Sequence, residues 1–445
     1  MDLFTTYSVK IKKYNQIFTK TVSIYRDAVD FFIDVCLNEW TNINALSNNH
    51  KRLRFMEILC HRTKNNPNPV YDFDAKFYKM PCYMRRAAIV EALGKVSSYK
   101  SNLDNWYNTD AKTRGREPSS PKAGYVYPAM YRTVMYKLSG DYKAQLKIYI
   151  RNTWDWITVE FKKSDMDYIN RHCGERKKCA PTLQKRGKEW FLEFPFEETI
   201  SLNDVEITGQ TIVAVDLGIN TAATISVMHS DGTILGRHFC KLPKEQDSLK
   251  HSINRIKKAQ QHGNYKTPRL WGKVKGINHD IATKTANFIM DISVRYQANT
   301  IVFEHLERKG KIRGSKKQRL HLWKIQKVQS IVANKAHRLG MRISRVSAWG
   351  TSRLAYDGSG PVLRGKSGGF KTYELCQFQT GKIYNCDLSA SYNIGARYFV
   401  RELIKSLDAR TRLGIEAKVP QSAKRSTCTF STLISLNAEL ISLAT

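Results

Sequence analysis

The stretch Thr211–Met228, TIVAVDLGINTAATISVM, settles the fold class of the C-terminal half. Two apolar runs rich in β-branched residues flank Asp216-Leu217-Gly218-Ile219-Asn220. That pattern reads as a hairpin with a sharp glycine turn and an acid at the end of its first strand. Downstream, Asp280–Tyr296 carries helical periodicity and leads into a second short apolar run, TIVFE, ending at Glu304. A helix over about 320–339 and the strand MRISRVSA come next, and Asp387–Arg401 reads as another helix. Strands alternating with helices predict an α/β domain.

Upstream the pattern changes. Thr5–Lys13, TTYSVKIKK, alternates apolar and basic residues as a strand with one wet cationic face does. Residues 14 to about 106 have helical periodicity, and Thr109–Ala123 is a polar Pro/Ser/Gly-rich loop. From about 125 to 198, KIYIRNTWDWITVEFKK and KEWFLEFPFE read as strands. The expected architecture is a β-domain, 1–13 with 125–205, interrupted by a helical domain, 14–124. The α/β domain follows over 206–349 and 382–410. Residues 350–381, with seven glycines, form a loop-dominated insert, and 411–445 a Ser/Thr-rich tail expected to fray.

The chain has 445 residues, with 73 Lys+Arg against 39 Asp+Glu, a net charge of +34. Such a charge calls for an anionic partner, and nucleic acid fits best. It disfavours an enzyme acting on a small neutral substrate. No run of about 18 apolar residues spans a membrane, and the N-terminus lacks the pattern of a signal peptide. Nine scattered cysteines read as reduced thiols. A cytoplasmic protein is expected.

Asp216, Glu304 and Asp387 are the candidate catalytic residues. Each follows an apolar strand or opens a helix, where α/β folds gather their ligand sites. Singly, each acid is equally a turn residue or helix cap. Together on a basic chain they suit a pair of Mg²⁺ ions that would activate water and stabilise the leaving oxygen in phosphodiester hydrolysis. Beside Glu304, the run Arg308, Lys309, Lys311, Arg313, Lys316, Lys317 and Arg319 is a candidate phosphate-contacting segment. Lys185, Arg186 and Lys188 in a turn between strands, and Arg85 and Arg86 in the helical region, are further nucleic-acid-binding candidates. A solvated charge run and a plain hairpin turn are the competing readings.

AVDLGINTAA, IVFEHLERKGK and YNCDLSASYNIGARY resemble the three motifs of the RuvC-like nuclease domain in the transposon-encoded TnpB family, related to compact type V CRISPR effectors. The resemblance covers Gln210 to about Arg401. It implies an RNase H-like (RuvC) nuclease domain, and a β-barrel wedge domain interrupted by a helical recognition domain. It also implies a guide RNA, a double-stranded DNA target beside a short motif, and Mg²⁺ at the three acids in a prokaryotic, nucleoid-associated protein. Two alternatives remain: an RNA-guided repressor that does not cut, and an unguided RNase H-like nuclease. VDLGINTAA also resembles the first phosphate motif of actin-like sugar kinases, but their other motifs are missing. Ser389 and Ser391 depart from the usual third motif, and Cys386 stands where an arginine is common. The insert lacks the two C-x-x-C pairs of the family's zinc ribbon. Only Cys376 remains there, with Cys386 nearby, so no zinc is expected. Cut pattern and oligomeric state stay open.

Overall fold

The computed structural model describes residues 1–12, 16–306, 323–424 and 426–444, with all nine cysteines as free thiols. The chain divides into two compact units, 2–199 and 200–445, with Met1 joining the second.

The first unit opens on strand β1 (Asp2–Lys10), followed by helices α1 (Ile17–Asn38), α2 (Trp40–Asn44), α3 (Asn49–Cys60), α4 (Phe73–Lys76) and α5 (Cys82–Tyr107). Helix α1 buries Phe18, Val22, Tyr25, Val29, Phe32, Ile33 and Cys36, a stripe at spacings of three and four. Phe32 stacks on Phe73, and Phe73 on Phe77. Then come β2 (Tyr136–Leu138), β3 (Lys143–Ile150), β4 (Thr153–Glu160), α6 (Lys163–Cys173), β5 (Lys177–Lys178), β6 (Thr182–Arg186) and β7 (Glu189–Thr199). Strand β1 pairs antiparallel with β7 along its whole length, so the helices α1 to α5 enter the chain between two strands of β structure. β5 and β6 also pair with β7, while β2, β3 and β4 make a separate antiparallel sheet. Helix α6 corrects the reading of 125–198 as strands throughout. Its 11 residues bury Met166, Ile169 and Cys173, one narrow stripe in a polar sequence.

The second unit is built on β8 (Thr211–Asp216), β9 (Ala223–His229), β10 (Ile234–Cys240), β11 (Thr300–His305) and β12 (Arg342–Ser347). Their order is β10-β9-β8-β11-β12. β10, β9 and β8 form an antiparallel meander, and β8, β11 and β12 run parallel. The sheet is thus mixed, with its first strand β8 at the centre. Helices α7 (Pro243–Gln261) and α8 (Pro268–Arg295) lead from β10 to β11, and α9 (Ile325–Arg338) leads to β12. Alternation along β8 sets the two layers: Val213 and Val215 pack with Ala282, Ala286, Ile289 and Val332 of α8 and α9. Ile212 and Ala214 instead meet helix α10 (Cys386–Ser406) through Leu388, Ile394 and Phe399.

Between β12 and α10 the insert folds a small antiparallel sheet of β13 (Leu363–Arg364), β14 (Leu375–Gln377) and β15 (Ile383–Asn385). The tail contains helices α11 (Ala409–Lys418) and α12 (Phe430–Ala444). This overturns the expected fraying: Leu433 and Leu436 of α12 are fully buried in the same cluster as α10. The Ser/Thr content did not mark a loose end, since Thr429 and Thr432 are themselves buried. No helix among the described residues is long and apolar enough to cross a membrane.

Candidate active site

Asp216 and Glu304 end neighbouring parallel strands. The register runs Ala214 beside Val302 and Val215 beside Phe303, which sets Asp216 next to Glu304 one step further on. By alternation both side chains belong to the α10 face of the sheet. Asp387 sits in the first turn of α10, which Asn385 caps by accepting a 2.9 Å hydrogen bond from the Leu388 amide. A helix N-terminus favours an anion there.

The three carboxyls sense one another. Burial pushes the Asp216 carboxyl well above the ordinary carboxylate range, and the charges of Glu304 and then Asp387 push it the same way. Burial likewise raises Glu304, opposed by a hydrogen bond from Thr351 and by the Arg397 guanidinium. Burial raises Asp387, opposed by Arg364. The Arg364 guanidinium thus lowers both Asp216 and Asp387, acting as their local counter-charge. Its Nη1 and Nη2 donate to the carbonyls of Ser352 (3.2 Å) and Tyr373 (3.4 Å), and its buried Nε has no partner among the described residues.

A hard divalent cation suits this donor set, because it would replace mutual repulsion among buried carboxylates by attraction. Among the described residues, no three acidic, imidazole or thiol groups are close enough to hold one ion as they stand.

Glu304 is held from behind. The Thr351 hydroxyl donates to Glu304 Oε1 and lies 3.1 Å from the Ala348 carbonyl. Two α10 side chains hold the Thr351 segment. Asn393 Nδ2 donates to the carbonyls of Thr351 (3.0 Å) and Leu354 (2.9 Å), while its Oδ1 accepts from the Phe430 amide (3.0 Å). Arg397, almost fully buried, donates to four carbonyls: Ser347 (2.7 Å), Trp349 (2.8 Å), Ser426 (2.7 Å) and Cys428 (3.0 Å). One helix therefore carries the third acid and fixes the backbone that holds the second. Arg364, Thr351, Asn393 and Arg397 were not among the sequence candidates. A buried arginine or asparagine on a helix has no sequence signal apart from its polar type on an otherwise apolar face.

Arg85 is drawn into the interior of the first unit. Its Nη2 is 3.6 Å from Glu57, and its Nη1 is 3.1 Å from His61 Nδ1. Arg86 holds Glu57 through both carboxylate oxygens, at 2.8 and 3.2 Å. A phosphate at either arginine must compete with Glu57. Lys185, Arg186 and Lys188 lie at the β6–β7 hairpin, whose Gly187 has φ +61°. There Arg186 pairs with Glu193 at 2.6 Å, Lys185 lies over the Trp190 ring, and Lys188 is exposed. Arg308, Lys309, Lys311, Arg313, Lys316, Lys317 and Arg319 fall outside the described residues. Cys376 and Cys386 share a hydrogen bond that lowers the first thiol and raises the second.

Comparison with known proteins gives four likenesses. The Aq_aa04 family model matches residues 5–150. The uncharacterized protein aq_aa04 of Aquifex aeolicus (strain VF5) is 31% identical over 127 residues, covering 26% of this chain and 71% of that protein. The TnpB-like protein aq_aa05 of the same organism is 27% identical over 270 residues, covering 54% of this chain and 84% of that protein. Among solved structures, the Cas12f1-sgRNA-target DNA complex aligns over 95% of this chain and 81% of that one, with 10% identity and a TM-score of 0.49. The match to aq_aa04 and its family model establishes that the chain belongs to the Aq_aa04 family, and it is related to TnpB through aq_aa05.

Proposed function

We propose that the chain is an RNA-guided DNA endonuclease that cuts double-stranded DNA complementary to its guide by divalent-metal-dependent hydrolysis. One observation carries the reading: Asp216 and Glu304 end adjacent parallel strands, and both Glu304 and Asp387 act on the buried Asp216 carboxyl. The relation to a TnpB-like protein and the charge of +34 support the nucleic-acid part.

Asp216, Glu304 and Asp387 would hold Mg²⁺, in a pair of ions. Bound there, Mg²⁺ supplies Lewis acidity and a water made acidic enough to attack a phosphodiester. The chain's own residues do the rest. Thr351 fixes one Glu304 oxygen, leaving the other for the cation. Arg364, which acts on both Asp216 and Asp387, would offer its guanidinium to a phosphate oxygen at the site. In this reading 1–13 with 125–205 is a wedge domain, and 14–124 recognises the guide–target duplex. Residues 350–381 admit the target strand to the nuclease, and the protein works at the nucleoid.

The test is to express the chain with its native flanking DNA, sequence the RNA that copurifies, and assay matched DNA with Mg²⁺. One structured RNA and cleavage lost in Asp216→Ala, with RNA retention unchanged, is the expected result. Cleavage by Asp216→Ala near the wild-type rate would refute the assignment. Guided binding without cleavage would favour a repressor, and cleavage with no specific RNA an unguided nuclease.

A further inference from the structure

The second unit contains a cavity of about 490 Å³, formed by the turn after β8, helices α7 and α8, and the start of α9. That volume lies within the ~300–1,000 Å³ of small-molecule and cofactor sites. Its lining divides by chemistry. Leu217, Ile281 and Trp323 give an apolar and aromatic wall. Lys250 and Lys257, two turns apart on α7, give a cationic rim on which, among the described residues, Asp247 is the single acid. A flat apolar ring bearing a negative charge at one side matches such a lining, and a nucleotide is that shape.

The cavity is tied to the candidate active site. Its wall begins at Leu217 and Gly218, directly after Asp216. The turn there is tight, since a Cβ on Gly218 would lie 2.5 Å from the Thr221 carbonyl oxygen. Gln246 Nε2 of α7 donates to the carbonyls of Ile219 (3.3 Å) and Asn220 (2.7 Å), fixing the cationic rim to the same turn. By strand alternation the cavity lies on the α8 face of the sheet and the acids on the α10 face. A single strand passing the carboxyl edge would present one phosphate to the acids and a neighbouring base to the cavity.

We propose that this cavity binds an unstacked nucleotide of single-stranded DNA next to the phosphodiester that is cut. Its position beside the cut rests on the nuclease reading, whereas nucleotide binding is measured without cleavage.

The experiment uses the full chain with its copurified RNA, in EDTA, and a single-stranded dodecamer carrying 5-iododeoxyuridine at each position in turn. Ultraviolet crosslinks are mapped by peptide mass spectrometry. Crosslinks from one or two adjacent positions to peptides spanning 217–222, 246–257 or 323–328 are expected. Two variants accompany it. Ile281→Trp, which fills the cavity, should raise the dodecamer Kd about tenfold, the loss of one stacked base. Lys257→Ala, on the rim and outside the core, should lower the slope of log affinity against log salt by about 0.7, as for one lost phosphate contact on a single strand. Crosslinks confined to other peptides, with both variants binding like the wild type, would overturn the proposal even if Mg²⁺-dependent cleavage proceeds. Crosslinks in the cavity with no cleavage under any divalent metal would uphold nucleotide binding and remove the nuclease reading.

Discussion

Replacing Arg397 by methionine tests whether helix α10 holds the Glu304 side of the site in place. Methionine keeps much of the buried volume but leaves four backbone carbonyls, those of Ser347, Trp349, Ser426 and Cys428, without their donor. A buried group left unsatisfied costs about 1–3 kcal/mol. Taking the low end for each, because neighbouring backbone relaxes and water can enter, gives about 4 kcal/mol. That is a large share of the ~5–15 kcal/mol that holds a typical domain folded. A second effect is electrostatic. The Arg397 charge lowers the Glu304 carboxyl, so its removal moves Glu304 further up and shifts the pH dependence of Mg²⁺ binding to higher pH. Urea unfolding followed by hydrogen exchange at the amides of 347–351 and α10 reads the first effect. Isothermal titration with Mg²⁺ across pH reads the second. Arg397→Lys, which keeps a charge and up to three donors, should recover part of both. A loss below about 1 kcal/mol with unchanged Mg²⁺ affinity would refute the clamp.

Three further outcomes are expected. With Asp216, Glu304 and Asp387 all raised, the metal-free fold binds protons more tightly than the unfolded chain. This stabilisation is complete below the unfolded values near ~4 and is lost as pH climbs through the raised ones. Thermal melts should therefore fall with rising pH in EDTA, recover with Mg²⁺, and depend less on pH in Asp216→Asn; a pH-independent melt of the wild type would contradict the coupling. Thr351→Val removes the hydroxyl on Glu304 and should slow cleavage about tenfold while Thr351→Ser restores it, and equal rates in all three would show that the bond does not matter. Gly395→Ala puts a Cβ 2.4 Å from Met228 Sδ and 3.2 Å from the Ala214 Cβ, so the buried Met228 side chain must change rotamer and α10 give slightly against β8. A cost of about 1–3 kcal/mol in urea unfolding is expected, and no measurable change would mean the core repacks freely.

Strand periodicity and terminal acids were enough to identify the α/β half. Apolar β-branched runs have few structures open to them, and an acid at the end of such a run lies at a sheet edge whatever follows. The hairpin at 211–228, the helices before β11 and β12, and α10 are each written in local pattern, and so are the three carboxylates. The short α6 was not legible, because its apolar stripe is narrow and polar residues dominate its composition, and α12 was hidden by the Ser/Thr-rich stretch that leads into it. Nor did any local signal mark the residues around the acids. Arg364 comes from a glycine-rich insert, Thr351 from a loop, and Asn393 and Arg397 from a helix whose spacing looks merely amphipathic. Their roles arise only when β8 and β11 set Asp216 beside Glu304 in register and α10 packs across both strands. Sequence alone determines which groups carry charge and which strands they end. The tertiary structure decides which charges are buried together and which distant donors answer them, because both depend on contacts between residues about 20 to 170 positions apart.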